Sequence, residues 1–126
     1  MLGPPRKVPP THPYRVVQIS LVGHLTSAAL ERSFESIAAE VATLPEGRSF
    51  DLVVDALAMT GYDADARSRF VEWNASNKER IRRVAIVTDK VLWHMVIAAM
   101  SVASGQKMRG LATQALAREW LAQETR

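Results

Sequence analysis

Apolar and polar positions alternate through Tyr14-Arg15-Val16-Val17-Gln18-Ile19-Ser20-Leu21-Val22. Val17, Ile19 and Leu21 share one face, which predicts a strand with Arg15 at a partly exposed end. Gly23 breaks the alternation, and Thr26 or Ser27 stands where a helix cap belongs. From Ser27 to Leu44 the period changes: Leu30, Phe34, Ile37, Val41 and Leu44 recur at steps of three and four, the stripe of a helix lying on a sheet. Pro45-Glu46-Gly47 ends it. The stretch from Ser49 to Phe70 organises the rest. Phe50-Asp51-Leu52-Val53-Val54 predicts a buried strand that stops at Asp55. A loop follows in which Gly61 turns the backbone, and Asp63-Ala64-Asp65-Ala66 opens a second helix, its carboxylates at the positive end of the helix dipole. That helix is expected to reach about Arg80 with Ala66, Phe70 and Trp73 toward the core.

Ile81 to Val87 is a third strand, and Thr88 or Asp89 is expected to cap a third helix that Gly105 stops. Lys107-Met108-Arg109-Gly110-Leu111 is a weak last strand, after which Thr113 opens a helix through Leu116, Trp120 and Leu121. Strands alternating with helices predict an α/β layer with largely parallel pairing. A strand ending in an acid and feeding a helix is a place where open α/β sheets bind partners, so the functional face is expected there. The third helix is apolar most of the way round. Leu92, Met95, Val96, Ala99 and Val102 form one stripe, read as its core face. Trp93, Ile97 and Met100 form a second about 100° away, read as a surface for a partner or second subunit, or as the wall of an apolar pocket. The competing reading is a deep helix covered by the last one through Leu116 and Trp120.

At 126 residues the chain fits one domain with a core of its own. Its 48% hydrophobic and 23% charged residues are those of an ordinary globular protein, and no apolar run nears the roughly 18–20 residues of a membrane span. Five of the six prolines fall within residues 1–13, which predicts an extended lead-in ahead of a single domain over residues 14–126. The absence of cysteine removes thiol chemistry and disulfides and suits a reducing cytoplasm. His12, His24 and His94 are scattered without ligand spacing, so no metal is expected. No nucleophile elbow or phosphate loop occurs, which argues against an enzyme and against a cofactor. The net charge of +3 includes Lys78, Arg80, Arg82 and Arg83, read as a solvated helix end with the last two on opposite sides of a strand. Without a reading helix or stacking platform they predict no nucleic-acid binding.

In this order the elements resemble the STAS domain, the fold of bacterial anti-sigma-factor antagonists, and most closely its SpoIIAA-like branch, also described as STAS/CRAL-TRIO-like. Val16-Val17 through Gly23-His24-Leu25-Thr26 is similar to that family's first central strand and turn. Asp55 with Met59-Thr60-Gly61-Tyr62-Asp63 resembles its strand-end aspartate and following loop. Arg83 to Asp89 with Trp93, and Met108-Arg109 through Glu119-Trp120-Leu121, resemble its later elements. The resemblance implies an α/β fold with a mixed, mostly parallel sheet of four to five strands and about four helices. It further implies a non-enzymatic signalling module that docks a protein partner, a kinase-like anti-sigma factor or other regulator, or a second copy of itself. The residues so implied are Asp55, Thr60, Gly61, Tyr62, Asp63 and Asp65. Signalling members carry Asp-Ser-Ser-Gly where this chain has Asp63-Ala64-Asp65-Ala66, so Asp65 replaces the phosphorylated serine. The CRAL-TRIO side implies the alternative, a lipid or hydrophobic small-molecule binder whose pocket is walled by Trp93, Ile97 and Met100.

Overall fold

The computed structural model describes residues 14–123; the proline-rich lead-in expected over residues 1–13 lies outside them. The elements run β1 (Arg15–Leu25), α1 (Ser27–Val41), β2 (Phe50–Tyr62), α2 (Ala64–Asn77), β3 (Ile81–Val87), α3 (Val91–Ser104), β4 (Met108–Leu111) and α4 (Gln114–Ala122). The four strands form one sheet in the order β1-β2-β3-β4, and every pairing is parallel. Parallel neighbours need crossovers of one hand, and a sheet that always steps in the same direction therefore keeps its crossover helices on one face. Accordingly Leu30 and Phe34 of α1, Phe70 of α2 and Ile97 of α3 share a core with Leu52, Val54, Val84 and Ile86. The alternate residues Val53, Ala85 and Val87 face the other way, onto Ala117, Trp120 and Leu121 of α4. Covered on both faces, β3 and the first half of β2 have no exposed position.

Two strand ends differ from the sequence expectation. β1 continues through Gly23 to Leu25, and β2 continues through Asp55 to Tyr62, so the expected loop is mostly strand. The register explains why. Ser20 pairs with Asp55 and Val22 with Ala58; Gly23 pairs with Met59 and His24 with Gly61. At each step β2 holds one extra residue, a bulge that breaks the alternating pattern while the pairing goes on. Gly23, at φ 75°, supplies the local kink instead of ending the strand. Helix ends are partly as expected. Thr26 Oγ1 accepts from Ala29 N at 3.2 Å, and Thr113 Oγ1 from Leu116 N at 3.1 Å. Neither Thr88 nor Asp89 caps α3, however. Lys90 holds that position, and the Thr88 hydroxyl accepts the Lys90 N–H at 3.2 Å.

The basic cluster is also different. Arg82 donates from Nε and Nη2 to the two carboxylate oxygens of fully buried Asp51, at 3.0 and 2.8 Å. Its guanidinium lies 4.4 Å from the centroid of the Tyr14 ring. Arg83 is buried and donates to the Trp120 carbonyl at 2.6 Å. Burial foremost, then the adjacent Arg82 charge, lowers the Arg83 pKa, and Asp51 opposes the shift. Phe50 pairs with Ile81 but Leu52 with Val84, so β3 carries an extra residue at the arginines. Through that bulge both reach carbonyls at the end of α4, not opposite faces, and neither belongs to a solvated helix end.

The two stripes of α3 are interchanged. Ile97 is 3% exposed, and Trp93 and Met100 pack partly buried against the core. Leu92, Met95 and Val102, expected to be the core face, are 74%, 69% and 85% exposed. A helix apolar on nearly every side gives no clear inward face by periodicity alone, and its facing is settled where it packs against β4 and α2. α4 cannot cover it, being on the opposite face of the sheet, and Leu116 stays exposed.

Candidate functional site

The strand β2 delivers the expected site residues to two places. Asp55 sits on the α4 side, with Oδ1 accepting from the backbone N–H of Leu57, two residues on, at 3.1 Å and Oδ2 from Gln114 Nε2 at 3.1 Å. With both oxygens engaged it braces the bulge and anchors the first residue of α4. Thr60, Gly61, Tyr62, Asp63 and Asp65 lie further on, at the end of β2 and the start of α2. Thr60, Asp63 and Asp65 are exposed. Among the described residues the strand order does not reverse, so the described sheet does not open the crevice that such a reversal makes.

Asp63 is the residue before α2, yet its side chain makes no capping hydrogen bond. It bonds His24 instead, Oδ1 to Nε2 at 2.7 Å, with both side chains about half exposed. Parallel pairing brings this about: His24 is opposite Gly61 and Leu25 opposite Tyr62, and Asp63 N donates to the Leu25 carbonyl at 3.0 Å. Gly61 leaves room for the ring, since a Cβ there would come within 3.0 Å of His24 Nδ1. His24 is thus a member of the site that the sequence showed only as an isolated histidine. Its link to Asp63 depends on strand register across 39 positions, which no local motif announces.

Tyr62 turns its ring edge toward Trp93, centroids 5.5 Å apart at 68°, and Lys90 Nζ lies 4.9 Å from the Trp93 centroid. Beneath these rings a cavity of about 70 Å³ lies between α2, α3 and the sheet, lined by apolar side chains with Arg67 beside them. Tyr62 from one expected group and the neighbouring Met59 line it together with Trp93, Ile97 and Met100 from the other. The structure therefore joins the two candidate groups at Tyr62 and Trp93, and leaves Asp55 apart. As it stands the cavity is well below the roughly 300–1,000 Å³ of small-molecule pockets. Among the described residues no three histidine, aspartate or glutamate side chains gather as a metal site, and no helix is long and apolar enough to cross a membrane.

Residues 16–122, nearly the whole of the described fold, match the SpoIIAA-like family. The chain belongs to the SpoIIAA-like family. The four strands and four helices described are the expected SpoIIAA-like α/β fold, and a crystal structure supports the fold. Every described pairing is parallel, where a mixed, mostly parallel sheet of four to five strands was expected. An uncharacterized protein from Shewanella loihica PV-4, of the DUF3478 family and with a SpoIIAA-like fold, superposes with a TM-score of 0.66 over 82% of each chain. At 16% identity that likeness speaks for the SpoIIAA-like fold alone. No protein among those of curated function matches this chain in sequence.

Proposed function

We propose that this SpoIIAA-like chain is a non-enzymatic regulatory module that docks a protein partner through residues 59–65 and the start of α2. The family membership is consistent with a regulatory module of the STAS type. The observation that carries the reading is the construction of the Thr60–Asp65 segment. Gly61 and Tyr62 pair with β1, Asp63 N donates to the Leu25 carbonyl and the Asp63 side chain is held by His24. The bulge residue Thr60 and the helix residue Asp65 thus flank a braced backbone that presents Tyr62. Little ordering entropy remains to be lost when a partner binds there. Two exposed carboxylates favour a partner with a basic surface, such as a kinase-like anti-sigma factor or another regulator. Asp65 holds the acceptor position and offers a carboxylate in place of a hydroxyl, so docking is not switched by phosphate there. A chain without cysteine fits the cytoplasm, where this reading places it.

The test is a photo-cross-linking group at position 60, with a control group at exposed position 119 on α4. One protein should cross-link from position 60 only and be lost on Asp65→Lys. Equal capture from both positions, or none from position 60, would refute the docking surface. The second reading, a binder of lipid or another hydrophobic small molecule, is favoured by the carbon-lined cavity under Tyr62 and Trp93. It requires α2 and α3 to move apart, because about 70 Å³ holds no acyl chain. An acyl-chain mass retained in native mass spectrometry would establish it.

A further inference from the structure

Between Val91 and Ser104, α3 carries no Asp, Glu, Lys or Arg, yet of its side chains only Ile97 and Ser104 are buried. Its outward face presents Leu92, Met95, Ala99 and Val102, at steps of three, four and three. Those steps are the a and d positions of a heptad, the spacing with which one helix packs along another. Scattered surface hydrophobes are ordinary, whereas a continuous stripe of this kind marks a contact.

We propose that this face pairs with a second copy of the same chain, α3 against α3, antiparallel about a two-fold axis level with Ile97. The proposal does not depend on the docking surface at residues 59–65. A two-fold contact needs one patch that complements itself, and this stripe does so in one register. Leu92 stands as far before Ile97 as Val102 stands after it, and Met95 mirrors Ala99 in the same way. Each long Met95 then meets a small Ala99, and each Leu92 meets a Val102.

Charge and area agree. No like charges face one another along α3, and the groove beside it is bordered on α2 by Arg67 and Glu72, one of each sign. Val91, Leu92, Met95 and Val102 are each more than two-thirds exposed. Covering them removes on the order of 100 Å² apiece. Over two chains that makes roughly 800 Å² before the alanines and groove walls are counted, approaching the ~1,000 Å² that a biological interface should clear. A lipid surface suits the face less well. Interfacial helices carry a cationic polar side and outward aromatic rings, whereas α3 has no lysine or arginine and turns Trp93 inward.

The test is sedimentation of the full chain over a concentration series, with Met95→Glu and Ala99→Lys made separately. The wild type is expected at twice 13.9 kDa. Each variant alone should keep its cooperative melt while dimerising on the order of 30-fold or more weakly. Mixed together they should recover the dimer, because the new Glu and Lys meet across the axis in this register only. A monomeric wild type overturns the proposal, including one that binds phosphatidylcholine vesicles, which would assign the face to lipid. So does a dimer untouched by either variant, or two weakened variants that do not rescue each other. Should either variant fail to melt cooperatively, Leu92→Gln and Val102→Gln carry the same test through weakened dimerisation.

Discussion

Replacing Ile97 by alanine discriminates between the two ways of facing α3 toward the sheet. In the structure Ile97 is 3% exposed and borders the apolar cavity under Trp93. Truncation removes three carbon groups at about 0.8 kcal/mol each, near 2.4 kcal/mol of transfer free energy. It also enlarges a void that already exists. If nothing relaxes, some 70–80 Å³ of new space adds up to about 2 kcal/mol at ~24 cal/mol per Å³. The expected loss is therefore about 2–4 kcal/mol, the upper end if α2 and α3 hold their places. Met95→Ala at its exposed position should cost under about 0.5 kcal/mol in a monomer. The assay is urea denaturation followed by tryptophan fluorescence, for which Trp93 at the cavity is a local reporter, run at concentrations low enough to exclude self-association. With a slope of ~1.5 kcal/mol per molar, Ile97→Ala should bring the midpoint down by roughly 1.3–2.7 M without changing the slope. A midpoint within the error of wild type for Ile97→Ala, together with a large drop for Met95→Ala, would show α3 turned to put Met95 against the sheet in place of Ile97 and refute the packing.

Three further outcomes are expected. Asp51→Ala should cost about 3–5 kcal/mol in the same denaturation assay, because it strips a buried carboxylate from the Arg82 guanidinium; a loss below 1 kcal/mol would show the pair to be solvated. Incubation with an antagonist-type kinase should leave the segment unphosphorylated, since Ala64 and Asp65 offer no hydroxyl; stoichiometric phosphate on Thr60 or Ser68, read by mass spectrometry, would reveal a displaced acceptor. No sequence-selective DNA or RNA binding should survive physiological salt in a filter or anisotropy assay, because Arg82 and Arg83 are occupied by Asp51 and by α4 carbonyls.

Much of the fold is legible in the chain itself. The α1 stripe, the apolar run of β3, the caps Thr26 and Thr113 and the stop at Gly105 are local signals, because a cap or a periodic face acts within a turn or two of its own residues. The alternation of strand and helix was enough to fix an α/β layer. Of the candidate site, the segment from Thr60 to Asp65 and the residues Trp93, Ile97 and Met100 could be picked out from pattern and resemblance. What escaped was decided between elements. The bulges that carry β1 to Leu25 and β2 to Tyr62 exist only because the two strands pair. The same pairing puts His24 against Asp63. Arg82 and Arg83 look like surface cations until α4 and Asp51 close over them. The orientation of α3 is the clearest case. Its sequence offers two apolar stripes of nearly equal strength, and a hydrophobic stripe states that a face wants cover without stating what covers it. β4 leaves room for Ile97, since a Cβ on Gly110 would come to 3.1 Å from Ile97 Cδ1, so Ile97 goes in and Leu92, Met95 and Val102 stay out. Packing against neighbours distant in sequence made that choice, and local periodicity had no means of making it.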